Sequence, residues 1–441
     1  MPQPPGKPQR PPLGANRLTA PLTVLLLAAL RSVPLPAGDA PAAHLTVTDG
    51  LGQEIDVEVR PAEGDLLLLW LYELERDRPG FRHTLEILEA AGIEVWLADP
   101  LAAAFLPRSN ENQRTLPGDS VAALLDVAPA QSPKRILLMG HDRMALPLLR
   151  GLRQWQAAHP GPTRLAGAVL LYPNLFGQNP IAGEEPGLDP VVEATHYPLL
   201  VLQPEFGSLR RRMGPVLDAL WAGGAAAFVE IVPGVRDWYL LHETGADPAE
   251  TEATRQLPGQ LRHAAAILAA APRSAAPVAP PPSPTPATTA SRGLVQRPVA
   301  TPPDFSLRDT QGRQTRLSDQ VGAVTLVNFW ATWCPPCVEE IPSMNTLAGR
   351  YDPADFRILS INFQEGAEQV AGFLRRVDVD FPVLLDRDGA VSAQWRVFAF
   401  PSSFLLDREG RVRYSVNSAI PWDEPGVMEV IDGLLVRAGD G

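Results

Sequence analysis

An apolar run, Val324-Thr325-Leu326-Val327-Asn328-Phe329, passes directly into Trp330-Ala331-Thr332-Trp333-Cys334-Pro335-Pro336-Cys337, and no other stretch constrains the chain as much. β-Branched and aromatic residues in a short run predict a buried strand, and the prolines before Val338-Glu339-Glu340-Ile341 predict a helix that begins at the cysteines. Unpaired backbone N–H groups at a helix start favour thiolate over thiol. Cys334 and Cys337 are the only cysteines in 441 residues. A bond between them closes too small a loop to staple a domain, so the pair suits exchange rather than structure.

The length suffices for two domains, each with its own core. A net charge of -12 argues against a nucleic-acid partner, because little here would displace counterions from phosphates. The 48 prolines gather at positions 2 to 12 and 272 to 303, which marks a terminus and a linker. At the amino end, Lys7, Arg10 and Arg17 precede the uncharged run Leu18 to Leu30 and then Ser32-Val33-Pro34-Leu35-Pro36-Ala37-Gly38-Asp39-Ala40. This three-part layout is that of a secretory signal over residues 1–40, either cleaved or kept as a membrane anchor.

Residues 41–272 alternate short apolar runs with longer amphipathic ones, among them Leu66 to Leu71, Glu94 to Ala98, Arg135 to Met139, Ala166 to Tyr172, Leu199 to Gln203 and Ala227 to Val232. Repeated β-then-α periodicity predicts a parallel sheet covered on both faces. The order resembles the α/β-hydrolase fold, with Gly140-His141-Asp142-Arg143-Met144 where that family carries its Gly-x-Ser-x-Gly nucleophile elbow. The residues depart from the pattern. Asp142 takes the serine position, and Asp237, in Val232-Pro233-Gly234-Val235-Arg236-Asp237-Trp238, takes the place of the histidine. His242 is the nearby substitute base, Glu205 the candidate orienting acid, and Leu71-Tyr72-Glu73-Leu74-Glu75 lacks the glycines an oxyanion site would use. A carboxylate cannot serve as imidazole does, so the expectation is a degenerate, non-catalytic body used for docking or scaffolding; the alternative is a bifunctional protein with residual hydrolase activity through Asp142. An acidic helix start accounts equally for Asp142. His44, His83, His159, His196 and His263 show no metal-ligand spacing, and neither metal nor cofactor is expected.

Residues 273–299, rich in proline and alanine, read as a semi-stiff polyproline II spacer between domains that tumble partly independently. Residues 300–441 resemble the TlpA/ResA-like branch of the thioredoxin superfamily. The resemblance rests on Pro303-Asp304-Phe305, on Leu326 through Cys337, on Phe381-Pro382-Val383-Leu384-Leu385-Asp386, and on Ala399-Phe400-Pro401-Ser402-Ser403-Phe404. The fold class expected is therefore α/β, a parallel-sheet hydrolase-like domain followed by a thioredoxin-like one.

The resemblance assigns roles. Cys334, at the exposed helix start, is the attacking thiolate and Cys337 the resolving thiol, with a cis-proline at Pro401 on the opposite wall and Glu340 tuning the thiols. Trp333, Pro335, Pro336 and Phe400 form the substrate rim. Asn328 stands where thioredoxins carry a buried aspartate and cannot relay a proton. The branch further implies reduction of periplasmic protein disulfides, with apocytochrome c among the substrates. It also implies re-reduction by a membrane thiol carrier of the DsbD or CcdA type.

Overall fold

The computed structural model describes residues 43–72, 78–159, 163–178, 181–242, 245, 247–273 and 293–436. The expected signal or anchor of residues 1–40, residues Glu73 to Glu75 of the expected oxyanion stretch and most of the expected spacer lie outside the described residues. Among the described residues no helix is long and apolar enough to cross a membrane.

The first sheet contains β1 (Ala43–Thr48), β2 (Glu54–Arg60), β3 (Leu66–Leu71), β4 (Ile93–Ala98), β5 (Arg135–His141), β6 (Leu165–Leu171), β7 (Leu199–Pro204) and β8 (Ala227–Val232), in the order β1-β2-β4-β3-β5-β6-β7-β8. β1 and β2 join by antiparallel pairing, and every pair from β4 through β8 is parallel. Strand alternation sorts the side chains: Leu67, Leu69 and Leu71 enter one core, while Leu66, Leu68 and Trp70 enter the core on the other face. Both faces being buried explains why β3, Leu-Leu-Leu-Leu-Trp-Leu, shows no polar alternation.

The helices Asp119–Gln131 and Ala145–Ala158 cross at Gly118 and Gly151, where a Cβ on Gly118 would lie 2.2 Å from the Gly151 nitrogen. Only bare backbone lets them approach so closely.

The second sheet contains β9 (Val295–Ala300), β10 (Ser306–Asp309), β11 (Gln314–Arg316), β12 (Val324–Trp330), β13 (Phe356–Phe363), β14 (Val383–Asp386), β15 (Ser402–Leu406) and β16 (Val412–Val416), ordered β11-β10-β14-β13-β12-β15-β16-β9. The central strand β12 pairs in parallel with β13 and antiparallel with β15, and all seven of its residues are buried. The expected spacer ends earlier than residue 299. Val295–Ala300 pairs with β16 as an edge strand of the second sheet.

Independent tumbling of the two halves does not hold either, because residues 42–441 form one compact unit. Phe398 of the second half packs edge-on against Phe176 of the first at 4.8 Å and joins the first half's core, while Ala182 enters the core beneath β15. Polar contacts reinforce the seam: Arg212 Nη1 donates to the Val397 carbonyl at 3.0 Å, Ser415 Oγ to the Ala182 carbonyl at 3.3 Å, and Arg297 pairs with Glu184 at 2.6 Å. The proline-rich composition spoke only of the connecting chain and carried no information about this seam.

Candidate functional site

The helix Pro335–Arg350 starts at the C-terminal end of β12, with Cys334 as its N-cap residue and Pro335 and Pro336 in its first turn. Proline there loses no intrahelical hydrogen bond and its φ is already helical. Cys334 and Cys337 are joined in a disulfide. Cys337, one turn in, is 1% exposed; Cys334 is itself only 5% exposed. The exposed helix start expected for Cys334 is thus corrected: the residue is buried, and it lines a cleft shared with residues of the first half.

The loop that delivers Cys334 is fixed by Glu365, a residue the sequence reading passed over. Its buried carboxylate accepts from the Thr332 amide at 2.7 Å, from Thr332 Oγ1 at 2.6 Å and from Asn362 Nδ2 at 2.7 Å. Arg236 from the first half lies 3.5 Å from the same carboxylate, and its guanidinium sits 5.7 Å from the Trp333 ring centroid. Glu365 follows β13 by two residues, so only the strand's parallel pairing with β12 brings it to the loop.

Opposite the thiols, the Phe400–Pro401 peptide is cis and leads into β15. Phe400 meets Trp333 edge-on at 6.0 Å, so these two of the four residues assigned to the rim stand together. Pro335 lines the same cleft.

Glu340, one turn beyond Cys337 on the same helix, is buried rather than solvated. Burial pushes its carboxyl up to about 7, against the opposing pull of hydrogen bonds from the Trp422 indole, Asn328 and the Ile420 amide. Asn328 Nδ2 donates to Glu340 Oε1 at 2.8 Å and to Ser403 Oγ at 3.0 Å, and Trp422 Nε1 donates to Oε2 at 3.2 Å. Asn328 therefore holds the acid in place, although it cannot relay a proton. Trp422 was not legible in the sequence, since it lies 82 residues from its partner.

The residues singled out in the first half divide. Asp142, Asp237 and His242 line one cleft of about 290 Å³, together with Cys334, Trp333, Pro335 and Phe400. Asp142 sits at the sharp turn after β5 with a φ of +44°, a backbone conformation a non-glycine residue rarely adopts outside functional turns. Gly140 permits that turn, since a Cβ would stand 3.0 Å from Leu148. Asp142 is ion-paired with Arg143. Asp237 accepts from the amide and hydroxyl of Ser208, each at 2.8 Å, and burial pushes its carboxyl up to about 6. Glu205 does not orient a base: it is exposed and accepts from the Gly234 amide at 2.8 Å. Nor is His242 poised towards Asp142, for its Nδ1 is 2.8 Å from Glu250. No group of three or more His, Cys, Asp or Glu suited to a metal ion occurs among the described residues.

A disulfide at a strand-to-helix junction, faced by a cis-proline strand and backed by a buried carboxyl, defines the class of thioredoxin-fold dithiol proteins. Residues 300–415 match the AhpC/TSA family. Thiol-disulfide oxidoreductase ResA of Geobacillus thermodenitrificans is 40% identical over 114 residues, covering 26% of this chain and 66% of that protein. ResA of Geobacillus kaustophilus is 37% identical over 121 residues, covering 27% and 70%. Thioredoxin-like protein YneN of Bacillus subtilis is 37% identical over 115 residues, covering 25% and 66%. A DsbE-type thiol:disulfide interchange protein from Chlorobium tepidum aligns with 30% identity and a TM-score of 0.30, covering 32% of this chain and 100% of that one. Through its C-terminal part the chain belongs to the ResA-type thiol-disulfide oxidoreductase family. It spans about two thirds of the length of these ResA and YneN relatives.

Proposed function

We propose that this protein is an exported thiol-disulfide oxidoreductase that reduces disulfides of extracytoplasmic proteins through Cys334 and Cys337. The observation that carries the reading is the Cys334–Cys337 disulfide at the start of a helix, with the buried Glu340 one turn beyond the second cysteine. Cys334, as thiolate, attacks the substrate disulfide and forms a mixed disulfide; the departing substrate sulfur takes up a proton. Cys337 then attacks Cys334, re-forming their disulfide and freeing the second substrate thiol. Glu340, with its carboxyl near 7, holds or releases the proton of the resolving thiol at neutral pH.

The periplasmic location rests on the signal-like layout of residues 1–40. Apocytochrome c as substrate and a DsbD- or CcdA-type membrane carrier as reductant follow from the family alone. The first half reads as an α/β-hydrolase-like body without a working triad. Its strand order and the elbow-like turn at Asp142 support the fold, while an aspartate in the histidine's place and a His242 engaged with Glu250 argue against hydrolysis. Its service is to the thiol site it packs against.

Trapping tests the reading. Cys337→Ala leaves the mixed disulfide on Cys334 unresolved, so covalent adducts should accumulate and vanish on reduction. A reduction potential near about -270 mV supports the reducing direction, whereas one near about -120 mV would reverse it.

A further inference from the structure

We propose that the end of the first sheet where β5 and β6 begin carries an anion site for a phosphoryl group, borne either by free phosphate or by a phospholipid headgroup. The site is separate from the thiols and does not rest on the thiol-exchange reading.

Charge is the first ground. Arg135, Arg164 and Arg273 line one pocket of about 380 Å³ together with Thr163. Among the described residues none of the three arginines forms an ion pair with a carboxylate, and the Arg135 side chain has no hydrogen-bond partner. The chain has 50 acidic against 38 basic residues, and Arg60, Arg108, Arg150, Arg212, Arg297 and Arg408 each meet a carboxylate. Three arginines together without one therefore stand out. Nor does the adjoining sequence hold a counter-charge, since residues 160–162 before Thr163 and 274–292 after Arg273 contain no Asp or Glu.

Placement of the donors is the second ground. Arg273 donates to the Leu165 carbonyl at 2.7 Å and lies 4.9 Å from the Tyr197 ring centroid, while Arg164 donates to the Pro129 carbonyl. These partners fix two guanidinium groups without neutralising them. Each guanidinium has five N–H donors, so several remain for a ligand. The helix Pro248–Ala270 reaches the pocket at Ala269 in its last turn, but its dipole brings only about half a negative charge against three positive ones. A phosphoryl group carries up to about two negative charges and three acceptor oxygens, enough for several guanidinium forks and the Thr163 hydroxyl at once. A carboxylate offers one charge and two oxygens.

Arg135 opens β5 and Arg164 immediately precedes β6, whereas Asp142 follows the far end of β5. At about 3.3 Å per residue the two ends of β5 are roughly 20 Å apart. An anion in the arginine pocket does not touch the cleft that Cys334 lines.

The test is calorimetry on the full chain at an ionic strength of about 0.15 M, where diffuse attraction is screened. Inorganic phosphate, monomeric dihexanoylphosphatidylglycerol and acetate are titrated into the wild type and Arg135→Gln. Arg135 is exposed and unpartnered, so the variant keeps the fold. Saturable binding of phosphate or of the lipid, weakened at least threefold and by an expected tenfold or so in the variant, upholds the proposal. Whichever of the two binds more tightly names the source. Absence of binding by both, a loss of less than threefold in the variant, or acetate held as tightly as phosphate overturns it, and none of these results bears on thiol exchange.

Discussion

Asn328 and Glu340 are bound to one another, Nδ2 to Oε1 at 2.8 Å, although the first lies on the central strand and the second on the helix that carries the cysteines. The amide occupies the position from which a carboxylate would repel Glu340. One acid, not two, is left under the disulfide, and its proton affinity is set by burial against three hydrogen bonds.

Glu340→Gln should therefore remove the inflection near pH 7 from the rate of mixed-disulfide resolution and slow that step by about tenfold to a hundredfold. Stopped-flow resolution rates across pH 5 to 9 check this. Trp422→Phe, which deletes a donor to the ionised form, should move the inflection upward.

The same group makes stability fall as pH rises. Glu340 has a folded value of about 7, raised from 4.5, so the native state holds a proton that the unfolded chain has released throughout that window. Stability should decline between about pH 4.5 and 7, by on the order of 3 kcal/mol from this residue. Asp237, raised to about 6, adds to the decline in the lower part of the window. Urea midpoints at pH 5 and 8 should differ less in Glu340→Gln than in the wild type.

Asn328→Asp would place a second carboxyl against Glu340 in the same dry pocket. One of the two must then stay protonated, and the variant should lose about 2 kcal/mol or more at pH 8 while remaining near wild type at pH 4. Denaturation at both values distinguishes this from a general packing defect, which would cost the same at each.

Arg236→Ala should loosen the loop over the thiols, since its guanidinium lies against both Glu365 and Trp333. Alkylation of reduced Cys334 by iodoacetamide should quicken several-fold, and the melting temperature should fall, since the buried Glu365 carboxylate loses its cation. An unaltered alkylation rate would mean that the first half does not gate the sulfur.

Gly151→Ala tests the helix crossing in the first half. The new Cβ would stand 2.3 Å from the Gly118 carbonyl oxygen and 2.4 Å from Val121 Cβ, so backbone must move. A loss of about 1–3 kcal/mol or more is expected in chemical denaturation.

Much of this was legible in the chain. The apolar run before Cys334, the prolines after it and the segment at Pro401 carry local signals of strand, helix start and turn, and these depend only on neighbours in sequence. Glu340 could be picked through the resemblance, because it stands three residues after Cys337 where the TlpA/ResA-like branch carries its acid. Asp142 could be placed at its turn for the same reason, as strand and helix periods flank it. Glu365, Trp422 and Arg236 could not, because their partners are distant in sequence and no period links them.

The Cys-Pro-Pro-Cys junction and its strand are what the sequence by itself determined: a redox-capable pair at a helix start, in a chain of two sheets. What surrounds that pair was decided only by the tertiary structure. Composition described the proline-rich connection as a spacer, but the two halves close on one another through Phe176 and Phe398, Arg236 and Glu365, and Ser415 and Ala182. A seam of that kind is made from single side chains scattered over the whole chain, each unremarkable where it stands. It sets Asp142, Asp237 and His242 of the first half along the cleft that Cys334 lines.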